Sequence, residues 1–252
     1  MADIAAFRGL RYDLSRGADP AMLLAPPYDV VSEAQRAALE AGAPHNVVRL
    51  ELPRGDGDAK YENARRLLEA WLSEGVLRTD EAPAIYVYEQ QFRYRAPGVE
   101  DRAFSRRGFF CRLRLEPFSA RVVLPHENTL AAPKEDRRKL MTATRTHLSQ
   151  VFGLYRDPAG VTASLLASVD VIPPELDATT PDACRHRLWA VTDRGHIAAF
   201  TKALQGRQVL IADGHHRYET MLAVRNFQKR AGLAPADGYA GLKVLTRLRQ
   251  GL

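Results

Sequence analysis

The chain has 252 residues, 46% hydrophobic and 26% charged, enough apolar material for one large core or two smaller ones and well outside the disordered class. Lys and Arg total 36 against 30 Asp and Glu, a formal charge of +6 that favours anionic partners. Because many arginines sit beside acids, as in Glu62-Asn63-Ala64-Arg65-Arg66, a solvated charged surface explains the excess better than a nucleic-acid face.

The start, Met1-Ala2-Asp3-Ile4, lacks a basic segment followed by an apolar run, and no stretch approaches the length of a membrane span. The expected location is the cytoplasm, with no membrane partner. The segment through Pro20 shows little periodicity. In Ala25-Pro26-Pro27-Tyr28-Asp29-Val30 two prolines impose an extended or turning backbone, either a rigid turn or a loop that presents Tyr28 and Asp29 to a pocket. Ser32 is placed to cap a helix over 33–39, with Gly42 as its stop. Val47-Val48-Arg49-Leu50-Glu51-Leu52 has the composition of a strand. Asp58 is a candidate cap for the clearest amphipathic helix, in which Tyr61, Ala64, Leu67, Leu68, Trp71 and Leu72 recur at helical spacing before Gly75.

Strands are expected over 85–92 and 107–115, with a hairpin connection near Pro97-Gly98. A helix occupies part of 135–146, and 150–155 is a short strand. Trp189-Ala190-Val191 and Ile197 read as strands, with a helix over 198–204. An apolar strand, Gln208-Val209-Leu210-Ile211-Ala212, then runs into the Asp213-Gly214 turn and a helix ended by Gly232; residues 244–252 suggest a local helix. The fold class that follows is α+β, a mixed or antiparallel sheet with packed helices. The expected division is an N-terminal portion over 1–105 and a site-bearing portion over 106–252. Cys111 and Cys184 are too far apart in sequence for a zinc-ligand pattern or a thioredoxin-like pair.

Two polar clusters stand out. The first is Asp213-Gly214-His215-His216-Arg217, where a strand meets a helix. Free backbone N–H groups and the positive end of the helix dipole make such a start an anion site. Arg217 can grip a phosphate or carboxylate, either histidine can carry a proton near neutrality, and Asp213 can orient a histidine, hold a metal or cap the helix. The structural alternative is a cap, a turn and two ordinary histidines. The second cluster is Pro125-His126-Glu127-Asn128-Thr129, followed by Lys134-Glu135-Asp136-Arg137-Arg138. Glu127 can serve as a general base, and Lys134 and Arg137 can neutralise phosphate. Here the alternative is a loop followed by a solvated helix start.

These pieces, with Ala25-Pro26-Pro27-Tyr28-Asp29-Val30 and Phe152-Gly153-Leu154-Tyr155, occur in the order found in the bacterial and archaeal family called domain of unknown function 1015, which the chain resembles over most of its length. The segment from Ile211 to Thr220 also resembles the helix-start motif of the ParB and sulfiredoxin superfamily, and its Asp-Gly-His-His-Arg form is similar to that of the superfamily's free-serine kinases. That resemblance implies a ParB/sulfiredoxin-like site unit, with phosphates surrounded by Asp213, Gly214, His215, His216 and Arg217 and with Glu127 as the counterpart of the kinase base. The chain departs from the family pattern at His147, Ser149 and Gln150, and it ends soon after the Asp213 helix, which suggests a shortened C-terminus. The resulting expectation is a nucleotide-dependent phosphotransferase that uses ATP or ADP with Mg2+ on a small hydroxylated metabolite. The alternatives are a nucleotide-binding regulator without turnover and a metal-dependent hydrolase that uses Asp213 and one histidine. Nucleic acid ranks below all three, because no recognition helix or aromatic–basic stripe stands out along the chain.

Overall fold

The computed structural model describes residues 1–232. In chain order its strands and α-helices are β1 (Ile4–Ala5), β2 (Leu10–Tyr12), α1 (Pro20–Leu23), α2 (Glu33–Gly42), α3 (Val48–Glu51), α4 (Ala59–Ser73), β3 (Leu77–Thr79), β4 (Ile85–Ala96), β5 (Val99–Phe110), β6 (Arg112–Leu113), β7 (Val123–Leu124), α5 (Ala131–Thr144), β8 (Phe152–Leu154), α6 (Val161–Ala167), β9 (Leu176–Thr179), β10 (Arg185–Val191), α7 (Arg194–Leu204), β11 (Val209–Asp213) and α8 (His215–Arg230). Among the described residues the largest sheet is antiparallel, in the order β5-β4-β10-β9. A three-stranded sheet is ordered β7-β11-β8, with β7 parallel and β8 antiparallel to β11. Two-stranded pairs, β1-β6 and β2-β3, complete an α+β architecture of mixed and antiparallel sheets with packed helices.

One face of the large sheet supplies the main core. Ile85, Val87, Trp189 and Val191 pack against Leu166 and Val169 beside α6 and against Phe200 and Leu204 of α7. The opposite face of that sheet is less covered. A second core, formed by Leu115, Val123, Ile211 and Tyr218, holds α8 against the small sheet. Tyr61 and Ala64 of α4 meet Leu140 of α5, while Leu50, Leu68, Trp71 and Leu77 form a further cluster. Position 105 falls within β5, the edge strand of a sheet whose other strands, β4 before it and β9 and β10 after it, lie on either side of it in sequence.

Local chemistry accounts for the element boundaries. Ser32 accepts from the Gln35 N–H at 3.2 Å while the Gln35 side chain accepts from the Ser32 N–H at 2.9 Å, a reciprocal cap that starts α2. Asp58 precedes α4 but directs its carboxylate to Lys139 at 2.7 Å instead of capping the helix. The expected strand over 47–52 is a helical turn. Asn46 Oδ1 accepts from the Val48 N–H at 2.9 Å, and Leu50 then turns in against Trp71. Ile197 also departs from its expected strand. Asp193 accepts from the His196 N–H at 2.8 Å and starts α7 before Ile197 is reached. The strand expected over 107–115 divides, because β5 ends at Phe110 and β6 leaves to pair with β1. The helix suggested over 244–252 lies outside the described residues. No helix among the described residues is long and apolar enough to cross a membrane.

Candidate functional site

The small sheet places the two polar clusters side by side. Strands β7 and β11 run parallel, so the loops leaving their C-terminal ends, which lead into α5 and α8, emerge on the same side. Helices α5 and α8 then pack against each other. Gly214 makes the turn into α8 at φ 92°, in the left-handed region that favours glycine. A Cβ there would lie 2.9 Å from Arg217 Nε, because the guanidinium folds back over the glycine. Arg217 Nη2 donates to Asp213 Oδ2 at 2.6 Å, Nη1 donates to the Gln150 carbonyl, and Nε is buried without a hydrogen-bond partner. A positive group therefore rests on the start of α8, whose own N–H groups receive no side-chain cap from Gly214.

His215 is the most enclosed member of the cluster, at 1% exposure. Its Nε2 accepts from the His126 N–H at 3.2 Å, so the ring proton lies on Nδ1, 2.9 Å from Glu127 Oε1. That oxygen is off the line of a good hydrogen bond, and the contact is a close electrostatic one. The His126 ring meets His215 edge to face at 4.4 Å. Glu127 is half exposed, so its carboxylate faces both the buried imidazole and solvent. His216 turns the other way along the helix, and its Nε2 accepts from the Leu130 N–H at 3.0 Å. Asp213, Gly214, His215, His216, Arg217 and Glu127 thus gather at one helix start.

Lys134 and Arg137 approach by different routes. Lys134 reaches Glu219 at 2.8 Å, and that carboxylate also accepts from Thr129 at 2.6 Å; the two contacts tie α5 to the second turn of α8. Burial raises the pKa of Glu219, but hydrogen bonds from Lys134 and Thr129 outweigh it, so the net shift is downward. Arg137 is buried and donates to Asp136 at 2.6 Å and to Glu51 at 3.3 Å. It also stacks on Tyr28, with its guanidinium carbon 4.1 Å from the ring centroid; Arg217 approaches the same ring at 5.7 Å. Arg137 and Arg217 therefore converge on a cavity also lined by Glu51, Ser149 and Thr220.

Glu51 is the residue that sequence reading missed. It is 8% exposed, accepts from Ser149 Oγ at 2.6 Å, and has a pKa raised by burial despite opposing effects from Ser149, Arg137 and Arg217. The available clue was a single carboxylate inside the apolar run Val47-Val48-Arg49-Leu50-Glu51-Leu52. Among the described residues, no three His, Cys, Asp or Glu side chains form a group suited to holding a metal ion.

The family model described as a protein of unknown function, DUF1015, matches residues 4–247. The chain belongs to that family. Neither a curated protein nor a solved structure matches it.

Proposed function

We propose that this protein is a nucleotide-dependent phosphotransferase acting on a small hydroxylated metabolite, with the start of α8 as its phosphate site and Glu127 as its general base. The observation that carries this reading is the 2.9 Å approach of Glu127 to His215, which brings an accessible carboxylate to the first turn of α8 from 88 positions earlier in the chain. Resemblance of the Asp213–Thr220 segment to ParB/sulfiredoxin-type helix starts adds to it.

In this reading the phosphates lie against the N–H groups of the first turn of α8, where the helix dipole favours negative charge. Arg217 already stands over Gly214, and an arriving phosphate competes with Asp213 for its guanidinium. His215, with its proton on Nδ1, lies 2.9 Å from the Glu127 carboxylate. Glu127 takes the proton of the acceptor hydroxyl as that oxygen attacks the terminal phosphorus. The bond between phosphorus and the bridging oxygen breaks, and the shortened nucleotide leaves with the electron pair. Lys134 ties α5 to α8 through Glu219, and Arg137 ties α5 to α3 through Glu51.

Magnesium in such reactions is held mainly by phosphate oxygens with one or two carboxylates, and the half-exposed Asp213 would supply one while Glu127 stays free to act as the base. When bound it supplies charge compensation to the transferring phosphoryl group. A nucleotide-binding regulator would share the phosphate site, but the placement of Glu127 favours turnover. The hydrolase reading has less support. A neutral imidazole offers one lone pair, and the ring nitrogens that accept in His215 and His216 are directed at the backbone N–H groups of His126 and Leu130.

The test is phosphorus NMR of the full chain with ATP, ADP or CTP, magnesium and a panel of small alcohols, sugars and hydroxy amino acids. A new phosphomonoester is expected, and Glu127→Gln should slow its formation on the order of 100- to 10,000-fold while leaving nucleotide affinity nearly unchanged. Absence of any product across the panel, or an equal rate in the variant, would set this reading aside.

A further inference from the structure

A second feature lies on the less covered face of the large sheet, away from the core. The register pairs Phe92 with Phe104, Tyr94 with Arg102 and Gln90 with Arg106, so these six side chains share one face of the β4–β5 hairpin. Phe92 and Phe104 stack with centroids 6.0 Å apart, and Tyr94 meets Phe104 edge-on at 6.4 Å. The Arg102 guanidinium lies 5.4 Å from the Phe104 centroid. Arg106 stands between two rings, 5.8 Å from Phe92 and 5.1 Å from Phe152. Tyr94, Phe104 and Phe152 are 50%, 40% and 39% exposed.

The paired hairpin positions of this patch carry charge of one sign. None of the paired positions 90, 92, 94, 102, 104 and 106 carries a carboxylate, whereas Glu89, with its arginine partners, is on the opposite face. Exposed aromatic rings interleaved with arginine are costly to leave in water unless a partner uses them, and their chemistry suits flat π faces joined by anionic linkers. Phe152 continues the ladder across to the small sheet, where it pairs with Asp213 at the entrance to α8.

We propose that this face binds single-stranded nucleic acid, with bases stacked on Phe104, Phe92 and Phe152 and phosphates beside Arg102 and Arg106. A single strand fits because its bases are free to stack and stacking tolerates any sequence; a duplex would offer only phosphates. The platform meets the proposed phosphate site only where Phe152 pairs with Asp213, and it does not depend on phosphotransfer. The stripe exists only after two strands pair, so it does not stand out along the chain.

The experiment measures fluorescence anisotropy of labelled oligouridylate and oligothymidylate of about 12 nucleotides, and of a duplex of equal length, with the full chain at low and moderate salt. Both single strands, or the RNA alone, should bind more tightly than the duplex, and added salt should weaken binding. Phe104→Ala should weaken single-strand binding about tenfold, and Arg106→Gln should also reduce the salt dependence by about one phosphate's worth. Arg93→Gln, on the opposite face and paired with Asp101 at 3.0 Å, should leave affinity unchanged. No single-strand binding by folded wild type, equal or tighter binding of the duplex, or binding indifferent to Phe104→Ala would overturn the proposal. So would a dimer in sedimentation that Phe104→Ala abolishes, because a second copy of the chain would then occupy the face.

Discussion

Replacing Glu89 with Gln should destabilise the fold by about 3 kcal/mol at neutral pH and by much less in acid. Glu89 is 2% exposed on the core side of β4. Its carboxylate accepts from Arg187 at 2.8 Å, from Arg107 Nε at 2.9 Å and from Gln91 at 2.6 Å. Burial alone would raise its pKa, but these hydrogen bonds outweigh it and hold the pKa at about 2, against an ordinary 4.5. A depression of that size corresponds to roughly 3 kcal/mol of native stability. It also agrees with the 3–5 kcal/mol that breaking a buried pair costs, roughly, when arginines lose their counter-charge. The folded pKa is the lower one, so this stability is fully present above the unfolded value near 4.5 and is lost as pH falls through about 2. Urea titrations of wild type and Glu89→Gln at pH values bracketing that window provide the assay. The gap should be largest near neutrality, equivalent to about 6–12 °C in melting temperature, and should narrow toward the acid end. A gap below about 0.5 kcal/mol at neutral pH, or one that keeps its size in acid, would refute the reasoning.

Gly214→Ala should cost about 1–2 kcal/mol from the left-handed backbone alone. It should also displace the Arg217 guanidinium, so a nucleotide titration would show the same weakening as an arginine deletion. Ile211→Ala, at a position 1% exposed between Val123 and Tyr218, should cost about 2–5 kcal/mol in urea unfolding, and an effect under 1 kcal/mol would mean that the small sheet is not held by this core.

The parts legible in the sequence were those whose cause is local. Ser32 with Gln35 marks a helix start within four residues, and the apolar spacing from Tyr61 to Leu72 marks α4 without reference to the rest of the chain. The Asp213-Gly214 turn was visible for the same reason, since only a glycine enters α8 comfortably at that φ. What escaped depended on distant partners. Strands β1, β2 and β3 have two or three residues each and exist because β6 and one another supply hydrogen bonds. Glu51 looked like one position of a strand until Arg137 and Ser149 closed on it. The aromatic–arginine face was hidden because alternation splits Phe92 and Tyr94 onto one strand and Arg102, Phe104 and Arg106 onto the other. The meeting of Glu127 with His215 was not legible, because nothing in the spacing of the two segments requires β7 and β11 to be parallel neighbours.

The proposed phosphate site at α8 is tested most directly by calorimetry of ATP, ADP and CTP, with and without magnesium, against wild type and Arg217→Ala, with circular dichroism to confirm that both are folded. Wild type should bind at least one of these nucleotides, and Arg217→Ala should weaken that binding on the order of 10- to 100-fold, the loss expected for charge-assisted hydrogen bonds to phosphate. Folded wild type that binds none of them, or a folded variant that binds as tightly as wild type, would contradict the proposed site.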